Sequence, residues 1–444
     1  MAVAYLLLDP HTGDHAAAVY RAGLFEREGF SLWDNNWYSG HHIPAYSVLY
    51  PPLAALVGVR VAGALAAVAA AALFEKLTDN KVSAQWFALG TATLLVTGRM
   101  PFLLGVAFAV AAMLPAIVLS VAFPEGGSFP FEPSSFWPQL AGTLFVLFLI
   151  TYRQDTNLKR DPLVVGTVLY AFVLIAAFAV ESPMGGNAVR LGALASGPVV
   201  AAVLWPDRKW LLAAAALPLL FWQWNAPVDN LLRTHGDESV HEGYYDELNR
   251  ELARRNAKRI EIPFTENHWE TAYVAPETAL ARGWERQLDR KYNGLFYEDS
   301  LTPEKYAQWI NDTAVDYVAV PDAPLDYSAR DEAKVIAAGV PGLERVWRGN
   351  HWTLYRVAKT RLLAKGEGLA IAKTDTVEVR AFGPGTIDLR VRWTPYWRIS
   401  EGHGCVEKHG QWTRIRASKT GPMTLSTHFA SSRIGATSPR CSGG

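Results

Sequence analysis

The 444-residue chain has only two cysteines, Cys405 and Cys441. That excludes a disulfide-dense scaffold and a cysteine-ligated zinc cluster. It also lacks an excess of either charge, with 42 Lys and Arg against 42 Asp and Glu. A nucleic-acid footprint needs a basic surplus, so nucleic acid is excluded as a partner. No glycine-rich nucleotide loop, HExxH pair or GxSxG elbow occurs, so no motif points to nucleotide, zinc-protease or serine-hydrolase chemistry. Charge itself is scarce in the first half. Residues 1–228 carry 25 of the 84 charged residues (12 basic, 13 acidic), and the remaining 59 lie in 229–444. That is about 11% against about 27%, and ordinary soluble chains sit near 25%.

What the first half does have is apolar runs. Residues 47–74 carry one charge, Arg60, while 82–97, 100–123, 137–150, 163–180, 191–205 and 210–224 carry none. A membrane-crossing helix needs about 20 apolar residues, and only helices or closed barrels satisfy the backbone in lipid. The expectation is a multi-pass helical membrane domain over 1–228, with a long outer loop over 9–46. Loops 152–161 and 207–209 hold the basic residues and are expected to be cytoplasmic. Segments 124–135, 181–187 and everything after 224 are then extracytoplasmic. An even number of crossings must separate the first loop from Pro124, yet three runs lie between them. Either 47–74 is two short helices bent at Pro51-Pro52 and near Arg60, or one segment re-enters. The preferred count makes Arg99 cytoplasmic; were it outside, it would join the mouth of the first loop. Residues 1–8 are apolar but too short to span, and read as the outer end of a helix or a dipping segment, not a signal peptide.

The second half reads as water-soluble. Residues 230–257 have a helical pattern, 259–264 a strand, 270–274 a further short strand, and 302–312 a helix opened by Thr302-Pro303. With strands at 316–320 and 351–357 and a helix at 329–338, a soluble α/β domain is expected over 229–358. From 359 to 444 the pattern is all-β. Strands at 377–381, 386–393, 412–417 and 423–429 suggest a small β-sandwich with a loose tail. A Cys405–Cys441 disulfide fits an extracytoplasmic location.

Four groups of residues carry candidate chemistry. The first loop holds Asp14 and His15, then Asp34, Trp37 and His41. Asp14 opens a helix-like stretch, where the helix dipole favours a carboxylate; the plain alternatives are an N-cap for Asp14 and interfacial anchoring for Trp33 and Trp37. His41-His42 lacks a spaced third ligand, so no metal site is assigned and a divalent metal has no motif behind it. Asn187 and Arg190 sit at the outer mouth of an apolar run, where an arginine either binds phosphate in bidentate fashion or snorkels. His268, Glu270, Arg282, Glu285 and Arg286 mix donors, acceptors and rings as a sugar or phosphate site does; a solvated face over buried tryptophans is the alternative. Trp393, Tyr396, Trp397 and Trp412 fit sandwich packing better than a carbohydrate platform.

Several segments together resemble a group of bacterial polytopic integral membrane proteins: WYSGHHIPAYSVLYPPLAAL (37–56), TGRMPF (97–102), PEGGSFPFEPSSFWP (124–138), GGNAVRLGAL (185–194), IPFTENHWETAYVAP (262–276), ARGWERQLDRKYN (281–293) and DYVAVPDAPLDYSAR (316–330). The architecture and Asp14 also resemble the GT-C superfamily of membrane glycosyltransferases. That resemblance implies transfer of a sugar from a polyprenyl-phosphate donor to an extracytoplasmic acceptor. Asp14 is then the general base, Arg190 the counter-charge to the lipid phosphate, and Arg282, Glu285 and Arg286 the acceptor side. Such enzymes commonly carry an acidic pair in the first outer loop; here Asp14 is followed by His15, and no Asp-X-Asp or Glu-X-Asp occurs. The stretch 99–124 looks short beside the resembling proteins, as if a helical hairpin were missing. The other reading is a non-catalytic membrane-anchored protein displaying a ligand-binding or assembly domain. A transporter ranks last, because no ionisable residue lies deep in a clean run.

Overall fold

The computed structural model describes residues 1–44, 47–78, 80–107, 119, 122–123, 125–152, 160–205, 207–298, 300–358 and 362–436. The chain divides into two compact units, one of residues 1–18, 53–112 and 126–236, the other of residues 19–52, 113–125 and 237–444. The first outer loop therefore clusters mainly with the strand-rich part of the chain.

The first unit is helical: α1 (Ala2–Leu8), the opening of α2 (Gly13–Glu28), most of α3 (Tyr50–Val57), α4 (Val59–Thr78), α5 (Lys81–Val96), α6 (Met100–Ala107), α7 (Pro133–Tyr152), α8 (Arg160–Ala179), α9 (Val189–Leu204) and α10 (Lys209–Thr234). Among the described residues, Pro133–Tyr152, Gly185–Leu204 and Lys209–Thr234 are long and apolar enough to cross a membrane. The pair α3 and α4 makes a fourth if taken as one span bent by 114°. The bend falls at Gly58, at φ +89°, a conformation only glycine adopts freely. Pro51 and Pro52 do not bend the chain; they sit in the first turn of α3, where a missing N–H costs nothing.

α4 and α5 form a hairpin turned at Asn80, whose side chain accepts from Ser83 N–H at 3.0 Å. α9 packs along α5. The Ser83 hydroxyl donates to Pro198 O at 2.8 Å, while Gly90 lies against Leu194 and Gly197 against the Trp86 ring. Small residues at these crossings let the backbones approach, and Gln223 joins them by donating to Ala193 O at 3.0 Å. On the outside of the unit, Phe145, Phe148, Leu169, Phe172, Leu217 and Phe221 are each more than half exposed. The basic loop residues Arg153 and Lys159 lie outside the described residues.

Among the described residues, the second unit holds three sheets and one short ribbon. β1 (Trp33–Asp34) and β2 (His41–His42) form the ribbon. β3 (Arg259–Glu261), β4 (Ala279–Leu280), β5 (Tyr317–Pro321), β6 (Leu343–Arg348) and β7 (Trp352–Val357) form a sheet of order β4-β3-β5-β7-β6. β3 is parallel to both β4 and β5, and β7 is antiparallel to its neighbours. Helices α11 (Asp246–Arg255), α12 (Glu270–Tyr273), α13 (Arg286–Tyr292), α14 (Pro303–Asp312) and α15 (Arg330–Ala338) complete this domain. Two readings change here. The pattern over 230–257 is not one helix, because α10 ends at Thr234 and α11 starts at Asp246. Residues 270–273 are a helical turn rather than a strand, with Trp269 stacked on Tyr273 at 5.1 Å, one turn apart. Thr302 caps α14 as its sequence suggests, accepting from Lys305 N–H.

The C-terminal strands β8 (Ala364–Gly366), β9 (Gly368–Ala372), β10 (Thr376–Ala381), β11 (Gly385–Arg392), β12 (Trp397–Glu401), β13 (Gly404–His409), β14 (Trp412–Ala417) and β15 (Gly421–Thr427) form two four-stranded antiparallel sheets, β13-β14-β11-β8 and β12-β15-β10-β9. The alternation in β11 buries Ile387, Leu389 and Val391 against Val377, Val379 and Leu425 of the opposite sheet. Trp33 from the first loop is part of that same core. Cys405 is not a free thiol, and Cys441 lies outside the described residues.

Candidate functional site

In the helical unit the acidic start of α2 is fastened by two arginines. Arg60, at the start of α4, pairs with Asp9 at 2.5 Å and donates to Pro10 O at 3.0 Å. Arg99, just past α5, pairs with Asp14 at 3.0 Å. Thr12 donates to Val96 O at 2.8 Å. Gly98, at φ +77°, has no room for a Cβ against the His15 backbone. So the segment 97–99 meets the first loop, and Arg99 belongs with Asp14. This is the alternative in which Arg99 joins the mouth of the first loop, rather than the preferred count that set it at the opposite end. The Asp14 side chain keeps 22% exposure. His15 is buried, and burial, helped by Arg60 and His11, pushes its imidazole down to about 3; it is a neutral packed ring. Asn187 lies in the turn before α9, where it donates to Pro183 O at 3.5 Å, and Arg190 lies in the first turn of α9. Because α9 runs antiparallel to α5, with Pro198 beside Ser83 and Leu194 beside Gly90, Arg190 falls toward the Thr97–Arg99–Asp14 end.

In the strand-rich unit, Asp34, Trp37 and His41 form one buried group. Asp34 accepts from the Tyr20 hydroxyl and from Asn36 N–H, both at 2.9 Å. Burial pushes its carboxyl up to about 7 against those two hydrogen bonds. Trp37 is sandwiched between Tyr20, at 4.4 Å, and His41, at 5.5 Å. His41, 3.8 Å from Asp34, is pushed down to about 4 by burial. Trp33 and Trp37 are 2% and 0% exposed, so neither is an interfacial anchor. Glu285 pairs with Arg21 of α2, and its carbonyl accepts from the Tyr38 hydroxyl at 2.8 Å. His42 donates its backbone N–H to Glu125, whose carboxylate also lies 2.6 Å from the ring Nδ1, and its Nε2 pairs with the Thr394 hydroxyl at 2.8 Å. Burial works to raise the Glu125 carboxyl, but His42 outweighs it and holds it low.

The α/β domain contributes two further groups. Arg282, 1% exposed, bonds to Asp289 at 2.6 Å and Glu332 at 3.0 Å, lies 3.7 Å from Glu261, and is stacked between Phe264 and Phe296. It is a structural cation, not a ligand contact. Arg286 grips Asp326 with two bonds of 2.8 Å. His268 lies 3.5 Å from Asp326 and 3.7 Å from Glu270, which accepts from Thr265 at 2.6 Å. Burial works to raise Asp326, but bonds from His268 and Arg286 hold it well below the carboxylate range; burial pushes Glu270 up.

The expected residues thus fall in both units: Asp14, His15, Asn187 and Arg190 in the helical one, Asp34, Trp37, His41, His268, Glu270, Arg282, Glu285 and Arg286 in the other. The sequence reading missed Arg21, Glu125 and Asp326 as partners, and misplaced Arg99. An acid and an arginine separated by 85 or 264 residues leave no local pattern to read. No group of three metal-ligating side chains occurs among the described residues. Comparison with family models, curated proteins and solved structures gives no match.

Proposed function

We propose that the chain is a multi-pass membrane protein with an extracytoplasmic strand-rich unit, and that it transfers a sugar from a polyprenyl-phosphate donor to an extracytoplasmic acceptor, in the manner of GT-C-like glycosyltransferases. Support for the membrane reading comes from the apolar, exposed outer faces of α7, α8 and α10, which would be costly in water. The observation that carries the enzymatic reading is the partly exposed Asp14 carboxylate, held by Arg99 at the end of the helical unit toward which Arg190 points its helix start. Asp14 takes the proton of the acceptor hydroxyl as its oxygen attacks the anomeric carbon. The anomeric C–O bond breaks, and polyprenyl phosphate leaves with the electron pair, its charge offset by Arg190. Arg99 orients the base. On the acceptor side, Arg282 is closed off at 1% exposure among Asp289, Glu332 and Glu261, while Glu285 and Arg286 are paired to Arg21 and Asp326.

The same ion pairs favour the second reading, a non-catalytic protein displaying its outer unit, for that part of the chain. One substitution separates the two. Asp14→Asn keeps the shape and removes the base. Glycan labelling in membranes should fall by about 10²–10⁴-fold while protein level is retained and melting falls by little, since the partly exposed Asp14–Arg99 pair keeps a hydrogen-bonding side chain in Asn. Unchanged transfer removes Asp14 from the chemistry; no transfer by the wild type under any lipid-linked donor supports display.

A further inference from the structure

We propose that the place where the loops after β3, β4 and β5 meet is a binding site for a neutral saccharide, held through hydroxyl hydrogen bonds to His268 and Glu270 beside the ring of Trp284. The topology selects the place. β4 lies on one side of β3 and β5 on the other, so the chain reverses direction across the sheet at β3. In open sheets of parallel strands, ligands bind outside the carboxyl ends at such a reversal. The loop after β3 supplies His268 and Glu270, the loop after β4 supplies Trp284 and leads to Arg286, and the loop after β5 supplies Asp326 and Tyr327. Glu266 N–H bonds to Pro324 O at 2.8 Å and Asp326 N–H to Phe264 O at 3.0 Å, tying the first and third loops together.

The side chains there are built but not mutually satisfied. His268 Nδ1 and Glu270 Oε1 face each other at 3.7 Å, and neither has a hydrogen-bond partner, although the residues are 7% and 0% exposed. The buried Trp284 indole N–H also has no partner, and its ring lies 6.5 Å from His268. A buried polar group without a partner costs about 1–3 kcal/mol, and His268 adds a left-handed backbone at φ +57°, strain that tends to collect at ligand sites.

Charge decides the ligand class. Arg286 is held in bidentate fashion by Asp326, so it is not available to a phosphate, and the Asp326 carboxylate repels anions. A ligand that both donates and accepts from neutral hydroxyls, and offers a C–H face to Trp284 and to the exposed ring of Tyr327, matches the set. Burial pushes the Glu270 carboxyl up, which suits a neutral partner. A saccharide here serves a display protein as well as a transferase, so the inference does not depend on the proposed catalysis.

The test uses the full chain in lipid nanodiscs free of glycoside detergent. Glucose, galactose, mannose, N-acetylglucosamine, maltose and lactose are titrated by saturation-transfer NMR, with inorganic phosphate as the anionic arm. At least one saccharide should saturate at millimolar concentration, and Glu270→Gln and Trp284→Ala should each weaken it about tenfold or more, with melting and Asp14-dependent transfer retained. Trp284→Ala decides the matter alone if Glu270→Gln does not fold. The proposal is overturned if none of these saccharides saturates the wild type, if the variants bind equally well, or if inorganic phosphate binds in preference.

Discussion

Replacing Trp33 by alanine should destabilise the strand-rich unit by about 3–5 kcal/mol, the usual cost of deleting a large buried aromatic side chain. Trp33 comes from the first loop, yet it sits in the sandwich core with Val377, Leu389 and Trp397. Its indole N–H donates to Asn35 Oδ1 at 2.8 Å, and Asn35 N–H donates to Thr374 O at 2.7 Å. Gly40, at φ +122°, leaves no room for a Cβ beside the indole, so backbone and ring are fitted to each other. Limited proteolysis and thermal melting of the purified full chain read the effect. Cleavage should appear within 237–436 in Trp33→Ala and only weakly in Trp33→Phe, which keeps most of the buried ring. Equal melting of Trp33→Ala and wild type would show that the first loop is not part of this core.

Arg282→Ala should be comparably damaging, about 3–5 kcal/mol, because it leaves Asp289, Glu332 and Glu261 buried without their shared cation. The wild type should itself depend on pH. Burial pushes Glu332 up to about 7, and burial plus the Glu332 charge raises Glu261. A carboxyl raised above its unfolded value of about 4.3 binds its proton more tightly when folded. Its stabilising contribution is therefore full below that value and disappears as pH rises through about 7. Between pH 5 and pH 8 this pair should pull the wild-type melting temperature down while His15 and His41, depressed by burial, pull it up; Glu261→Gln, which is neutral throughout, should remove part of the downward pull and leave the upward one. Denaturant titration across that range checks both, and a Glu261→Gln profile as steep as the wild type would contradict the raised Glu261 carboxyl.

The elements that were legible in the sequence are those set by local period. The apolar runs marked α5, α7, α8, α9 and α10, and alternation marked β10, β11, β14 and β15. What was not legible depends on long-range pairing. Nothing in WDNNW tells that Trp33 enters a core made by residues some 350 positions later, or that Asp34 hydrogen-bonds to Tyr20. Of the two bend positions expected in 47–74, the one near Arg60 is found, at Gly58, and the one at Pro51-Pro52 is not, because proline breaks a helix in its interior and here it stands in the first turn. The crossing count preferred a cytoplasmic Arg99 and left the first-loop mouth as the alternative, and the ion pair with Asp14, 85 residues away, puts Arg99 at that mouth. Of the candidate site, Arg282 and Arg286 were read as ligand-facing, whereas their partners Asp289 and Asp326 engage them internally.

The central claim is that the helical unit lies in lipid with Asp14 and the strand-rich unit on the outer side. Two single-cysteine reporters test it most directly, because Cys405 is not a free thiol. Lys365→Cys sits on an exposed position of β8, and Lys76→Cys lies near the Asn80 turn of the α4–α5 hairpin. With a membrane-impermeant maleimide on intact cells, Lys365→Cys should label fully, and Lys76→Cys should label only after the membrane is opened. Labelling of both reporters in intact cells, or of Lys365→Cys only after lysis, would contradict the account.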